Sequence, residues 1–216
     1  MTNDLDLRER QELCDLMLRV GPDAPTLCGE WTTADLAAHL SIRERDPRSA
    51  PGILLDGTFA KFLEKLMSKE RSRGFENVVE RVRHPPKGPL SIPALRSAMS
   101  LVEYTVHHED VRRPAGLGPR TDNDDLQIAI WAKACQLSGL IVRKAKIAPV
   151  SLELRATGVT VDKPVHHAGK GDRTVAVSGL PIEVLLFIYG RQAVADVQVE
   201  GDPVDVETAR TASFGI

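Results

Sequence analysis

The chain has few cysteines, no excess charge of either sign and no long apolar run. Its three cysteines, Cys14, Cys28 and Cys135, are an odd set without CxxC spacing. That argues against a disulfide framework and fits a reducing compartment, so the cytoplasm is the expected location. Lysine and arginine number 28 against 30 acidic residues, a formal net charge of -2. Without a basic surplus, neither nucleic acid nor an anionic membrane is an expected partner. The longest apolar run, Val184 to Tyr189, is far short of the roughly 20 residues a membrane-spanning helix needs. The opening MTNDLDLRER is acidic and polar, unlike a signal peptide. There is no GxSxG, no Walker A sequence, no GxGxxG after a strand and no HExxH. The common signatures of serine hydrolases, P-loop NTPases, dinucleotide enzymes and zincins are therefore missing.

What is present is an ordinary globular composition, 42% hydrophobic and 27% charged over 216 residues, enough for one large domain or two small ones. The first two-thirds reads as helices. Asp4 to Val20 places Leu13, Cys14, Met17 and Leu18 at helical spacing and is stopped by Gly21-Pro22. Thr32-x-x-Asp35 resembles a capping box for a second helix holding Leu36, His39 and Leu40. Asp46-Pro47 and Pro51-Gly52 break the pattern. A third helix is expected over Thr58 to Arg83, with Phe59, Phe62, Leu63 and Leu66 inward. After a loop from His84 to Pro89, a fourth runs from Pro93 to Arg113, the proline being tolerated in the first turn. After a second loop, Pro114 to Pro119, a fifth runs from Asp122 to Lys144, with Leu126, Ile130, Trp131, Ala134, Leu137 and Ile141 apolar. This predicts a bundle of four helices plus one.

Beyond Lys146 the pattern changes to alternation. Val150 to Ala156, Val159 to Val161, Arg173 to Val177 and Ala195 to Glu200 read as strands. His166-His167 falls in a Gly/Pro stretch read as a flexible loop. Leu180 to Tyr189 is an apolar helix with Gly190 as its C-terminal cap, and Asp205 to Ala212 a last short helix. The expected fold is mainly α: residues 1-146 a helical bundle, residues 147-216 a small α+β domain.

The chemistry concentrates in SLVEYTVHHEDVRR. Glu103, His107 and Asp110 stand at i, i+4 and i+7, on one helix face. Leu95, Met99, Val102 and Val106 form the apolar stripe of that helix, and Glu103 and His107 each sit one residue past a member of it. Ionisable groups at the edge of a core need a partner, and a metal ion serves both. His39 holds an equivalent place on the second helix, giving three ligands and an open position. The alternatives are an i, i+4 ion pair between Glu103 and His107, worth roughly 0.2–0.5 kcal/mol, and a hydrogen-bonded core histidine at 39. Asp110 reads as an acceptor orienting a ligand histidine, or as a base near bound water. His108 and Glu109 point away from this face and read as surface. Arg112 and Arg113 complement the negative end of the helix dipole.

Trp31 to Leu40, W-T-x-x-D-L-A-A-H-L, together with E-x3-H-x2-D from Glu103 to Asp110, resembles the mycothiol-dependent maleylpyruvate isomerase family, one of the DinB-like metal-binding helical bundles. Ser178 to Arg191, SGLPIEVLLFIYGR, followed by a strand and Gly201-Asp202, is similar to the small sterol-carrier-like domain appended to that bundle. The tract V-H-H-E-D-V-R-R resembles an actinobacterial branch without an assigned reaction. Isomerase members more often carry an aromatic residue at the position of Glu109, and here the chain departs from them.

The resemblance implies that His39, Glu103 and His107 hold zinc, with water at the open position. It implies that the metal keeps the thiol of mycothiol as a thiolate, which adds to an activated double bond, allows rotation and leaves again. It assigns Arg191 to a substrate carboxylate, a task that suits the planar guanidinium. On this reading the partners are a small-molecule thiol and a small-molecule substrate, and none of the protein's cysteines is needed. Cys28 is the one protein thiol expected near the metal. Two functions follow: a thiol-dependent isomerase or S-transferase, or a non-catalytic metal-binding or regulatory module whose closed site takes a fourth ligand such as Asp110.

Overall fold

The computed structural model describes residues 5–46, 57–84 and 93–214, with side chains from 62 in the second stretch and from 100 in the third. These residues form eight helices and one four-stranded sheet. None of the helices is long and apolar enough to cross a membrane. Contacts divide the chain into two compact units, Met1–Gly118 and Pro119–Ile216. The division falls before the helix that starts at Asp124, which the sequence reading grouped with the preceding four.

The first unit holds α1 (Leu5–Val20), α2 (Thr33–Arg45), α3 (Gly57–Arg71), α4 (Phe75–Arg83) and α5 (Pro93–Arg112). Its core joins Leu13, Cys14 and Met17 of α1, Leu36 and Leu40 of α2, Val78, Val79 and Val82 of α4, and Tyr104 and Val111 of α5. Leu18 instead faces solvent. The capping box forms as expected: Thr32 Oγ1 accepts from Asp35 N, and the Asp35 carboxylate accepts from Thr32 N at 2.9 Å. The single helix expected over Thr58 to Arg83 is two helices. Gly74 caps α4 at φ 88°, a conformation open to glycine and costly for other residues. The turn lets Met67 of α3 pack with Ala38 and Ile42, while the valines of α4 pack against α1. Asp4, the Pro47 and Pro51-Gly52 breaks, the loop from Pro85 to Pro89 and the side chains of Phe59, Leu95 and Met99 lie outside the described residues.

One buried cation ties four helices of this unit together. Arg10 of α1 donates to both oxygens of Glu44 on α2 and to the carbonyl of Val82 on α4 at 2.6 Å. Its guanidinium lies 4.2 Å from the ring centroid of Tyr104 on α5, whose hydroxyl donates to Glu44 Oε1 at 2.8 Å. A charge removed from water needs pairing of this kind; Nη1 and Nη2 are paired, while Arg10 Nε has no hydrogen-bond partner among the described residues.

The second unit holds α6 (Asp124–Ala145), β1 (Val150–Ala156), β2 (Val165–Ala168), β3 (Arg173–Gly179), α7 (Pro181–Ile188), β4 (Gln198–Glu200) and α8 (Pro203–Thr211). The strand order is β2-β1-β3-β4, with β1 and β3 parallel and both outer pairings antiparallel. The strand expected at Val159 to Val161 does not form. The second strand is Val165–Ala168, so His166 and His167 are strand residues paired with Leu154 and Glu153, not a flexible loop. Gly158, at φ 74°, turns the chain before it, and Ala156 N bonds the carbonyl of Pro164 to start the pairing. Helix α6 packs on this sheet and on α7: Trp131 Nε1 donates to Lys163 O at 2.8 Å, and Gln127 Oε1 accepts from Ile182 N at 3.0 Å. All of α7 is buried, and Gly190, at φ 82°, ends it as expected.

A candidate metal centre between two helices

Residues His39 on α2 and Glu103 and His107 on α5 converge. One potential ligand atom from each lies within 4.8 Å of the other two. The two imidazole centroids are 5.9 Å apart with planes at 72°, and the Trp31 ring lies 5.1 Å from that of His39, tilted by 47°.

Burial holds the His39 pKa down to about 3, and the positive charges of His107 and Arg43 add to the effect. The ring is therefore neutral at ordinary pH and keeps a lone pair. Its Nδ1 is buried without a hydrogen-bond partner among the described residues. Leaving such an atom unsatisfied costs about 1–3 kcal/mol, and a metal ion is a partner that would remove the cost.

The Nδ1 of His107 lies 2.9 Å from Asp110 Oδ2, and Asp110 is fully buried. A carboxylate at this distance favours the tautomer with the proton on Nδ1 and the lone pair on Nε2, the arrangement of a ligand histidine oriented by a carboxylate. In place of the alternative Glu103–His107 ion pair stand two others: Glu103 pairs with Arg43, one turn beyond His39, and His107 pairs with Asp110. The Glu103–Arg43 pair is partly exposed, so it contributes at most about 1 kcal/mol and leaves the carboxylate available to an ion.

The loop before α2 completes the surroundings. Leu27 N donates to the main-chain carbonyl of Asp110 at 3.0 Å. Thr26 Oγ1 donates to Trp31 O at 2.7 Å and accepts from Cys28 N at 3.1 Å. These bonds place the Cys28 thiol 3.1 Å from Asp110 Oδ2, to which it donates, and 3.9 Å from His107 Nδ1. Sequence reasoning anticipated Cys28 as the nearby thiol but not its bond to Asp110. It missed Arg43, which the i, i+4 spacing from His39 could have revealed.

His108 and Glu109 are not surface residues. They are 4% and 0% exposed. The neighbouring face of α5, about 100° round the helix, packs on α1, where His108 Nδ1 lies 3.3 Å from Glu9 Oε2. Glu109 is paired with Arg113 at 2.6 Å and Arg112 at 3.2 Å, so both arginines have a specific partner beyond the helix dipole. Glu9, Glu12 and His108 form a further group of potential ligands. Arg191 belongs to the second unit, just past α7, where its Nη1 donates to Tyr189 O at 2.6 Å.

No protein-family model, no curated protein and no solved structure matches the chain.

Proposed function

We propose that His39, Glu103 and His107 hold one divalent metal ion, zinc by the character of the donors. On this reading the first unit is a DinB-like bundle and the second a sterol-carrier-like domain. The protein then serves as an isomerase or S-transferase of the mycothiol-dependent type, acting on a small carboxylate-bearing substrate. The observation that carries the metal reading is the neutral His39 ring, whose buried Nδ1 lacks a partner among the described residues, beside a second imidazole whose Nδ1 faces the Asp110 carboxylate.

When bound, the metal would lower the pKa of a coordinated thiol or water and so supply a nucleophile at neutral pH. The chain's own residues do the rest. Asp110 holds the Nδ1 proton of His107 and sets the ring's orientation. Trp31 shields His39 from water. Arg43 offsets the charge of Glu103. Arg191 is assigned to the substrate carboxylate, and this part rests on the resemblance alone. The second reading is a metal-binding module without turnover. It is favoured by the surplus of donors, since Cys28 and Asp110 both lie against His107.

Metal analysis of the purified protein tests the centre. His107→Ala should abolish stoichiometric zinc, and full occupancy in that variant would show that the ligands are misassigned. Titration of the cobalt-substituted protein with a low-mass thiol then separates the two readings. A change in the cobalt spectrum supports thiol chemistry, and its absence shifts the conclusion to the module.

A further inference from the structure

His107 presents two nitrogens, and a potential ligand group stands at Nδ1 that the zinc assignment does not use. Cys28 Sγ, Asp110 Oδ2 and His107 Nδ1 form a triangle with edges of 3.1, 2.9 and 3.9 Å. In a tetrahedral site with bonds of about 2.0–2.3 Å, neighbouring donors stand about 3.3–3.8 Å apart. The observed edges bracket that range, so an ion needs only sub-ångström adjustments to bridge all three. The triangle is also held from outside. Asp110 sits in a buried helix, and Cys28 is fixed by the Thr26 hydroxyl and by the neighbouring Leu27 amide on the Asp110 carbonyl. Cys28 is only half-buried, which leaves an approach for an ion from solvent.

The geometry points to a second metal site, Cys28–His107–Asp110, for a thiophilic divalent ion, and it competes with the His39–Glu103 set for the same imidazole. A neutral ring has one lone pair. With the proton on Nδ1, facing Asp110, the lone pair at Nε2 serves the first set. With the proton on Nε2, the lone pair at Nδ1 serves the second. Filling the second site expels the Cys28 thiol proton to solvent and moves the ring proton from Nδ1 to Nε2 by exchange with water. The thiolate and the Asp110 carboxylate then balance the two charges of the ion. A soft sulfur donor favours cadmium or zinc over magnesium or calcium.

Cadmium is the probe, added to the full-length metal-free protein and followed by the ultraviolet charge-transfer absorption of a cadmium–thiolate bond. The wild type should develop this band up to one equivalent. His39→Ala should keep it although it removes a ligand of the first set, which separates this site from the one proposed above. Cys28→Ser should lose the band while Cys14 and Cys135 remain, and Cys28→Ala, checked for native circular dichroism, guards against a folding artefact. Absence of the band in the wild type, its survival in both Cys28 variants, or its loss in a folded His39→Ala protein would each overturn the assignment, leaving the triangle as hydrogen bonds only.

Discussion

Acid should destabilise the metal-free protein through His39. In the unfolded chain this histidine takes up a proton near its ordinary pKa of 6.5, whereas in the folded protein burial holds that event down to about 3. Between the two values the unfolded state binds more protons, so stability falls as pH falls through this window. Above the unfolded pKa neither state is protonated at His39, and its contribution is flat. Each pH unit inside the window is worth about 1.4 kcal/mol. Acidification from about pH 6.5 to about pH 4.5 should therefore remove about 2–3 kcal/mol through this residue. His39→Gln keeps a neutral polar side chain but cannot titrate. Urea unfolding of chelator-treated wild type and His39→Gln at the two pH values isolates the effect, because every other titrating group cancels in the difference. The wild type should lose about 2–3 kcal/mol more than the variant. Equal losses would mean that His39 is protonated in the native state at mildly acid pH, and the argument for a ligand-ready ring would fail with it.

Two further substitutions probe the packing of the two units, one in each. Arg10→Met leaves the partly buried Glu44 without its cation and the buried Tyr104 without its stacked guanidinium. It should cost about 3–5 kcal/mol in urea unfolding, and a loss below about 1 kcal/mol would contradict the pairing described. Gly171→Ala would set a Cβ 1.8 Å from the carbonyl oxygen of Pro149. It should lower the melting temperature by an amount equivalent to about 1–3 kcal/mol or more, and an unchanged melting temperature would show that the chain near Pro149 yields freely.

Local chemistry was legible in the sequence where a signal and its partner lie within a few residues. The Thr32–Asp35 box and the Gly190 cap are of that kind, because each is satisfied inside one turn. The break at Gly74 was missed because apolar residues continue at helical spacing on both sides, and only the left-handed glycine separates them. β2 was missed because its residues earn a strand assignment only from their pairing with β1. At the site, the convergence of His39, Glu103 and His107 followed from one-face spacing on two helices. The Cys28–Asp110 bond did not, since it depends on where a loop lands on a distant helix. His108 and Glu109 were misread because polarity was taken as exposure, while α1 and two arginines supply partners that make their burial affordable.

The bond from the Leu27 amide to the Asp110 carbonyl has a consequence for how this centre could change over generations. It joins main chain to main chain, as do the bonds of Thr33 and Ala34 to Ala24 and Pro22, so none of them depends on the identity of a metal-facing side chain. The anchor of the loop on α5, and its hold on the start of α2, therefore persist when a donor is exchanged. On the proposed metal reading, a single codon change at position 28, 39, 103, 107 or 110 would alter which ion is preferred while the helices that present the donors stay in register. Ion preference in this scaffold is thus open to stepwise selection, each step being a change of donor and not a change of fold.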